Sequence, residues 1–133
     1  MIMFVGLAPS SKNEDPRVPF KGTKSGERLK RWINTCGVRS YALYNLFLEV
    51  LPRGPLLKEE LQRAGSKLRD KAQYADGVVA LGQEASRALK LAGIGHYRMP
   101  HPSGRNRLFN NKAYEPMVVA KLKTWVENLN ETL

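Results

Sequence analysis

The sequence predicts a three-layer α/β fold: a four-stranded, mostly parallel sheet with helices on both faces. Two observations carry that expectation. Short apolar, β-branched runs alternate with amphipathic helical stretches along the whole chain, and that order places crossover helices between parallel strands. The chain is also long enough, at 133 residues and 42% hydrophobic, to bury one core of its own. A single domain spanning 1–133 is therefore expected.

Ile2 to Gly6 reads as a short buried strand, followed from Leu7 to Lys24 by a loop rich in polar residues, proline and glycine. Loops of that length are usually functional or mobile. Ser25 can cap a helix running to about Thr35, in which Leu29, Trp32 and Ile33 recur at helical spacing and Gly37 marks the stop. Tyr41 to Tyr44 is the next strand. After a break at Pro52, Gly54 and Pro55, the residues Leu57, Leu61, Ala64, Leu68 and Ala72 form the apolar stripe of one long basic helix. Gly77 to Leu81 is the clearest buried strand, and Gly82 turns it into a helix over Glu84 to Ala92. Tyr97 to Met99 is the fourth strand. Val118, Leu122, Trp125, Val126 and Leu129 face the core from a terminal helix.

Twenty-two Lys and Arg against twelve Asp and Glu leave a formal net charge of +10, which points to a polyanionic partner, nucleic acid first. The apolar runs are far shorter than the ~20 residues that span a bilayer, and the N-terminus lacks the charge and length of a signal peptide. No membrane association is expected, and the chain is read as intracellular, in cytoplasm, nucleoid or nucleus. The single cysteine, Cys36, can neither close an internal disulfide nor supply a cysteine cluster, and it reads as a small buried residue.

The most informative stretch is His101-Pro102-Ser103-Gly104-Arg105-Asn106-Arg107. Pro102 stiffens a tight turn around His101, Ser103 and Asn106 add hydrogen-bonding groups, and Arg105 and Arg107 add fixed charge. Such a loop suits an anionic, hydrogen-bonding ligand, although a solvated surface turn would look the same. In a parallel sheet the ligand site lies beyond the carboxyl ends of the strands. That rule brings the Leu7 to Lys24 loop, Asn45 and the His101 loop to one rim.

These loops also carry a family resemblance. Gly6-Leu7-Ala8-Pro9-Ser10, followed by Pro19-Phe20-Lys21-Gly22 and Ser25-Gly26-Glu27-Arg28-Leu29, resembles the opening motif of the uracil-DNA glycosylase superfamily. Tyr44-Asn45 resembles its strand-end asparagine, and Val78-Val79-Ala80-Leu81-Gly82 with Ala85 and Ala88-Leu89 resembles its third strand and helix. His101-Pro102-Ser103 resembles its second catalytic motif. The segments keep the family's order and leave only the helix from Leu57 and the terminal helix as generic. The first motif is closest to the branch lacking a polar catalytic residue there, whereas His101 to Asn106 is also similar to the single-strand-selective branch.

The resemblance implies a four-stranded parallel sheet between helices, and excision of uracil or a related pyrimidine from single- or double-stranded DNA by hydrolysis of the N-glycosidic bond. It implies that Leu7, Ala8, Pro9, Phe20 and Asn45 form the base pocket, with Phe20 stacking on the flipped base and Asn45 reading its edge. Taken as residues alone, Phe20 can equally anchor the loop in the core and Asn45 can cap a turn. His101 would stabilise charge on the departing base. Ser10, Lys21, Lys24, Arg28, Ser103, Gly104, Arg105, Asn106 and Arg107 would follow the DNA backbone or fill the space the base vacates. Leu7 is the departure, because many relatives carry an acidic or amide residue at that point to position water. Asn13, Glu14 and Asp15, in the same loop, are the candidate substitutes. No metal or cofactor is inferred, and a monomer is expected. Two other readings stay open: a uracil- or DNA-binding protein without turnover, and an enzyme that processes a modified pyrimidine in DNA without excising it.

Overall fold

The computed structural model describes residues 1–15, 17–52 and 54–132, the last three by their backbone alone. Four strands, β1 (Ile2–Gly6), β2 (Tyr41–Asn45), β3 (Gly77–Leu81) and β4 (Tyr97–Met99), form one sheet in the order β2-β1-β3-β4. Every pairing is parallel. The central strands β1 and β3 are almost wholly buried, as strands covered on both faces must be.

Right-handed crossovers then decide where the helices go. The chain moves outward from β1 to β2 through α1 (Lys24–Thr35), and back across β1 to β3 through α2 (Lys58–Ser66) and α3 (Arg69–Gln73). Reversing direction places α1 and α2 on opposite faces. The step from β3 to β4 keeps the new direction, so α4 (Gln83–Leu91) joins α2, while α5 (Tyr114–Thr132) returns beside α1. Two apolar layers result. Met3, Val5, Val78 and Ala80 pack with Leu61, Ala64, Ala88 and Leu89 on one face. Ile2, Phe4, Val79 and Leu81 pack with Leu29, Trp32, Leu122 and Val126 on the other. Cys36 is buried in the second layer, where its thiol donates to the Val119 carbonyl and burial pushes its pKa up to about 11.

Three local expectations are corrected. Ser25 lies inside α1, and Thr23 is the cap: its backbone is extended and its hydroxyl oxygen accepts from the Gly26 N–H at 3.0 Å. The single helix from Leu57 to Ala72 is broken at Lys67 and Leu68, just after Gly65 and Ser66, which are weaker helix formers than the residues before them. Leu57 is consequently 61% exposed as the residue preceding α2, while Leu61, Ala64 and Leu68 keep the buried stripe. β2 also runs one residue further than expected, to Asn45.

Burial makes the cost of truncation uneven. Leu122→Ala, at a position 0% exposed, should lower stability by about 2–5 kcal/mol, whereas Leu48→Ala, at a position 72% exposed, should change it by no more than about 0.5 kcal/mol in urea unfolding.

Candidate active site

The carboxyl ends of β1, β2 and β4 deliver three loops to one rim. Asn45, the last residue of β2, pairs with Gly6, the last of β1, and the ladder continues as Leu46 N–H donates to Gly6 O and Phe47 N–H to Leu7 O, both at 2.9 Å. Asn45 is 8% exposed, and its Oδ1 is fully buried with no hydrogen-bond partner among the described residues. Leaving a buried carbonyl unsatisfied costs about 1–3 kcal/mol. The amide is therefore held ready for a donor.

Phe20 approaches the same point from the long loop. A Cβ on Gly6 would lie 2.8 Å from Asn45 Oδ1 and 3.0 Å from Phe20 Cζ, so only glycine lets the ring and the amide meet over the strand end. Phe20 has φ of 65°, the left-handed region, which is costly for a bulky residue by about 1–3 kcal/mol. Thr23 holds it there. The Phe20 carbonyl accepts from the Thr23 hydroxyl at 2.8 Å and the Thr23 N–H at 3.3 Å, while the same hydroxyl caps α1. Gly26 completes the clamp, since a Cβ on it would stand 2.2 Å from the Phe20 carbonyl oxygen.

His101 closes the third side, its ring 6.1 Å from that of Phe20 and tilted by 44°. Its Nδ1 accepts the Ser103 N–H at 3.1 Å, which requires that nitrogen to be unprotonated. Burial independently lowers the His101 pKa below the usual 6.5. The neutral ring therefore carries its proton on Nε2, as a donor. Behind it, Arg28 ties the loop to the helices: its guanidinium lies 3.4 Å from Glu115 Oε1, 4.3 Å from the Phe109 ring centroid and 3.5 Å from the Ser103 carbonyl.

Asn45, Phe20 and His101 enclose a pocket of about 40 Å³, completed by Ala8, Pro9, Ser10, Asn13, Thr23 and Ser25. Leu7 is not part of this lining. Side chains alternate along a strand, so Leu7 continues the series of Met3 and Val5 into the core against α2 and α4, and Ala8 turns to the pocket. Of the three acidic or amide candidates, the structure brings only Asn13 to the pocket. Its Oδ1 accepts from the Ser10 N–H and hydroxyl, and its Nδ2 donates to the Val18 carbonyl. Asp15 is turned outward to Arg17, whose hydrogen bonds lower its pKa, and Glu14 packs beside Gly22. Among the described residues, no three His, Cys, Asp or Glu side chains converge as a metal site would require.

The family model of the uracil DNA glycosylase superfamily matches residues 1–123. The chain belongs to that superfamily. No curated protein matches it. Membership brings a DNA-glycosylase-related function and DNA as the class of partner, and the parallel sheet agrees with the fold the superfamily implies.

Within this superfamily member, the expected backbone-binding residues separate into two groups. Lys21, Lys24, Gly104, Arg105 and Arg107 are exposed around the rim, and Ser10 is exposed at the pocket mouth. Arg28 departs from its expected place as a phosphate ligand, because it is half-buried and engaged by Glu115 and Phe109. Asn106 and Ser103 carry local structure: Asn106 Oδ1 accepts the Leu108 N–H at 3.1 Å, and Ser103 Oγ accepts the Arg105 N–H at 3.2 Å. Sequence reasoning quoted Gly6 and Gly26 only as letters of the motif, without the steric role they have here, and passed over Thr23. The signal for Thr23 was a threonine three residues before a glycine at a helix start.

Two outcomes follow from this geometry. In an NMR titration the His101 midpoint should lie below 6.5; because the unfolded chain then binds more protons, its stability contribution is full above pH 6.5 and falls as pH drops through the folded value. Gly26→Ala should destabilise the fold by about 1–3 kcal/mol and displace Phe20, whereas Gly104→Ala, which meets nothing within 4 Å, should be tolerated in the same thermal melt.

Proposed function

We propose that the protein excises uracil, or a closely related pyrimidine, from DNA by hydrolysing the N-glycosidic bond. The observation that carries this reading is the pairing of a neutral, Nε2-protonated His101 with the buried, unpartnered carbonyl of Asn45 across one pocket. One group donates and the other accepts. Uracil offers the complement, a ring carbonyl for the histidine and an N3–H for the amide oxygen, whereas cytosine has an acceptor at N3. The tight pocket implies that an entering base parts Phe20 from the Ser10 to Asn13 turn and stacks on the ring.

The chemistry needs no strong base. The bond from C1′ to the base breaks first and its electron pair leaves with the base, which becomes an anion whose carbonyl accepts the His101 Nε2–H. Water then adds to the sugar cation at C1′ and releases a proton, which the departing base takes up. A preorganised donor to developing charge of this kind contributes ~10²–10³ in rate. Asn13 retains one amide hydrogen to orient that water, but its carbonyl is occupied by Ser10 and an amide cannot remove a proton. Ala8 is the pocket position at which a polar side chain would stand. A histidine protonated at Nδ1 would lose the Ser103 contact, so the reaction slows on the acid side of neutrality.

Abasic-site formation under single-turnover conditions tests the proposal on single-stranded, paired and mismatched uracil. His101→Ala should slow the reaction ~10²–10³-fold with DNA affinity little changed, and Asn45→Asp should weaken uracil recognition. Intact DNA binding without any abasic product from the wild type on all three substrates would overturn it. That result would favour a base-binding or base-modifying role.

A further inference from the structure

A groove of about 520 Å³ runs beside the edge strand β2, and Asn45 lines both it and the His101 pocket. One wall is apolar. Tyr44 and Phe47 form its floor against the core, and Leu48, 72% exposed, stands on its lip. The other wall is cationic: Arg63 on α2, Lys67 at the break after it and Lys71 on α3 all line the groove. Lys71 Nζ sits 4.5 Å over the Tyr44 ring. Among the described residues none of the three cations forms an ion pair, although Glu49 and Glu60 also border the groove.

We propose that this groove holds unpaired DNA nucleotides flanking the one whose base enters the His101 pocket, so that the protein prefers single-stranded to duplex DNA. The proposal rests on the functional reading above in taking DNA as the partner and the His101 pocket as the place its base enters, and not on excision itself. A duplex hides the faces of its bases and would use the cations alone. An unpaired strand presents both a backbone for the basic wall and base faces for the apolar one. Asn45 borders both, which sets groove and pocket side by side at the end of β2.

Fluorescence anisotropy with a labelled, uracil-free thymine oligonucleotide and its matching duplex, each titrated with salt, tests the proposal. Wild type should bind the single strand at least about fivefold more tightly. Lys67→Gln with Lys71→Gln should weaken single-strand binding about tenfold and reduce the log–log salt slope by about 1.4, at ~0.7 per cation, with less than half that change on duplex. Leu48→Ser should weaken single-strand binding about threefold at unchanged slope. All three positions are exposed, and circular dichroism verifies that the variants fold. Wild-type single-strand affinity in the variants, or an equal loss on duplex, overturns the proposal. Abasic-site formation is read separately: variants that lose single-strand binding while wild type forms no abasic sites keep the groove and remove the glycosylase, and excision with unaltered single-strand binding does the reverse.

Discussion

The pairing of Gly6 with Asn45 at the end of the β1–β2 ladder is the constraint on which the pocket depends. Parallel pairing fixes which residue of β2 ends level with which residue of β1, and the two-residue alternation then fixes the direction of every side chain beyond it. From that single register, Leu7 must continue the core series of Met3 and Val5 while Ala8 faces the ligand side. Gly6 leaves bare backbone under the Asn45 amide, and Phe20 fills the approach. A slip of one residue would exchange these roles, placing leucine in the pocket and alanine in the core.

The chemistry of the rim is set by what is denied to each polar group. Asn45 keeps an unpaired carbonyl because strand pairing engages its backbone and nothing described reaches its Oδ1. His101 keeps a proton on Nε2 because the Ser103 N–H occupies Nδ1 and the low-dielectric surroundings disfavour a second proton. Neither property belongs to the residue type alone. An exposed asparagine or histidine would satisfy itself with water.

Much of this was legible in the chain. All four strands, their alternation with helices and the convergence of three loops followed from apolar runs, glycine and proline punctuation and the rule that parallel sheets bind ligands at their carboxyl ends. Phe20, Asn45 and His101 came from a motif resemblance, and the structure brings them together. What was misread has a common cause, namely that facing and partnership are tertiary properties. Leu7 and Ala8 are adjacent letters, and only the strand register separates them. Arg28 looked like one more surface cation until Glu115, 87 residues later, drew it inward. The break after Ser66 was hidden within an apolar stripe that satisfied the helical period without interruption.

Arg28 also bears on how the rim behaves before it meets a ligand. It joins the first crossover helix, the histidine loop and the terminal helix through contacts to Ser103, Phe109 and Glu115, and Trp32 reinforces the tie by donating its indole N–H to the same Glu115 oxygen. A loop containing glycine, serine and two arginines would otherwise sample many arrangements. Fastened at three points, it loses that freedom when the chain folds rather than at each encounter, so the ordering cost is absent from the binding step. The terminal helix, remote from the pocket in sequence and silent in the motif, is in that sense the brace that keeps the histidine preorganised.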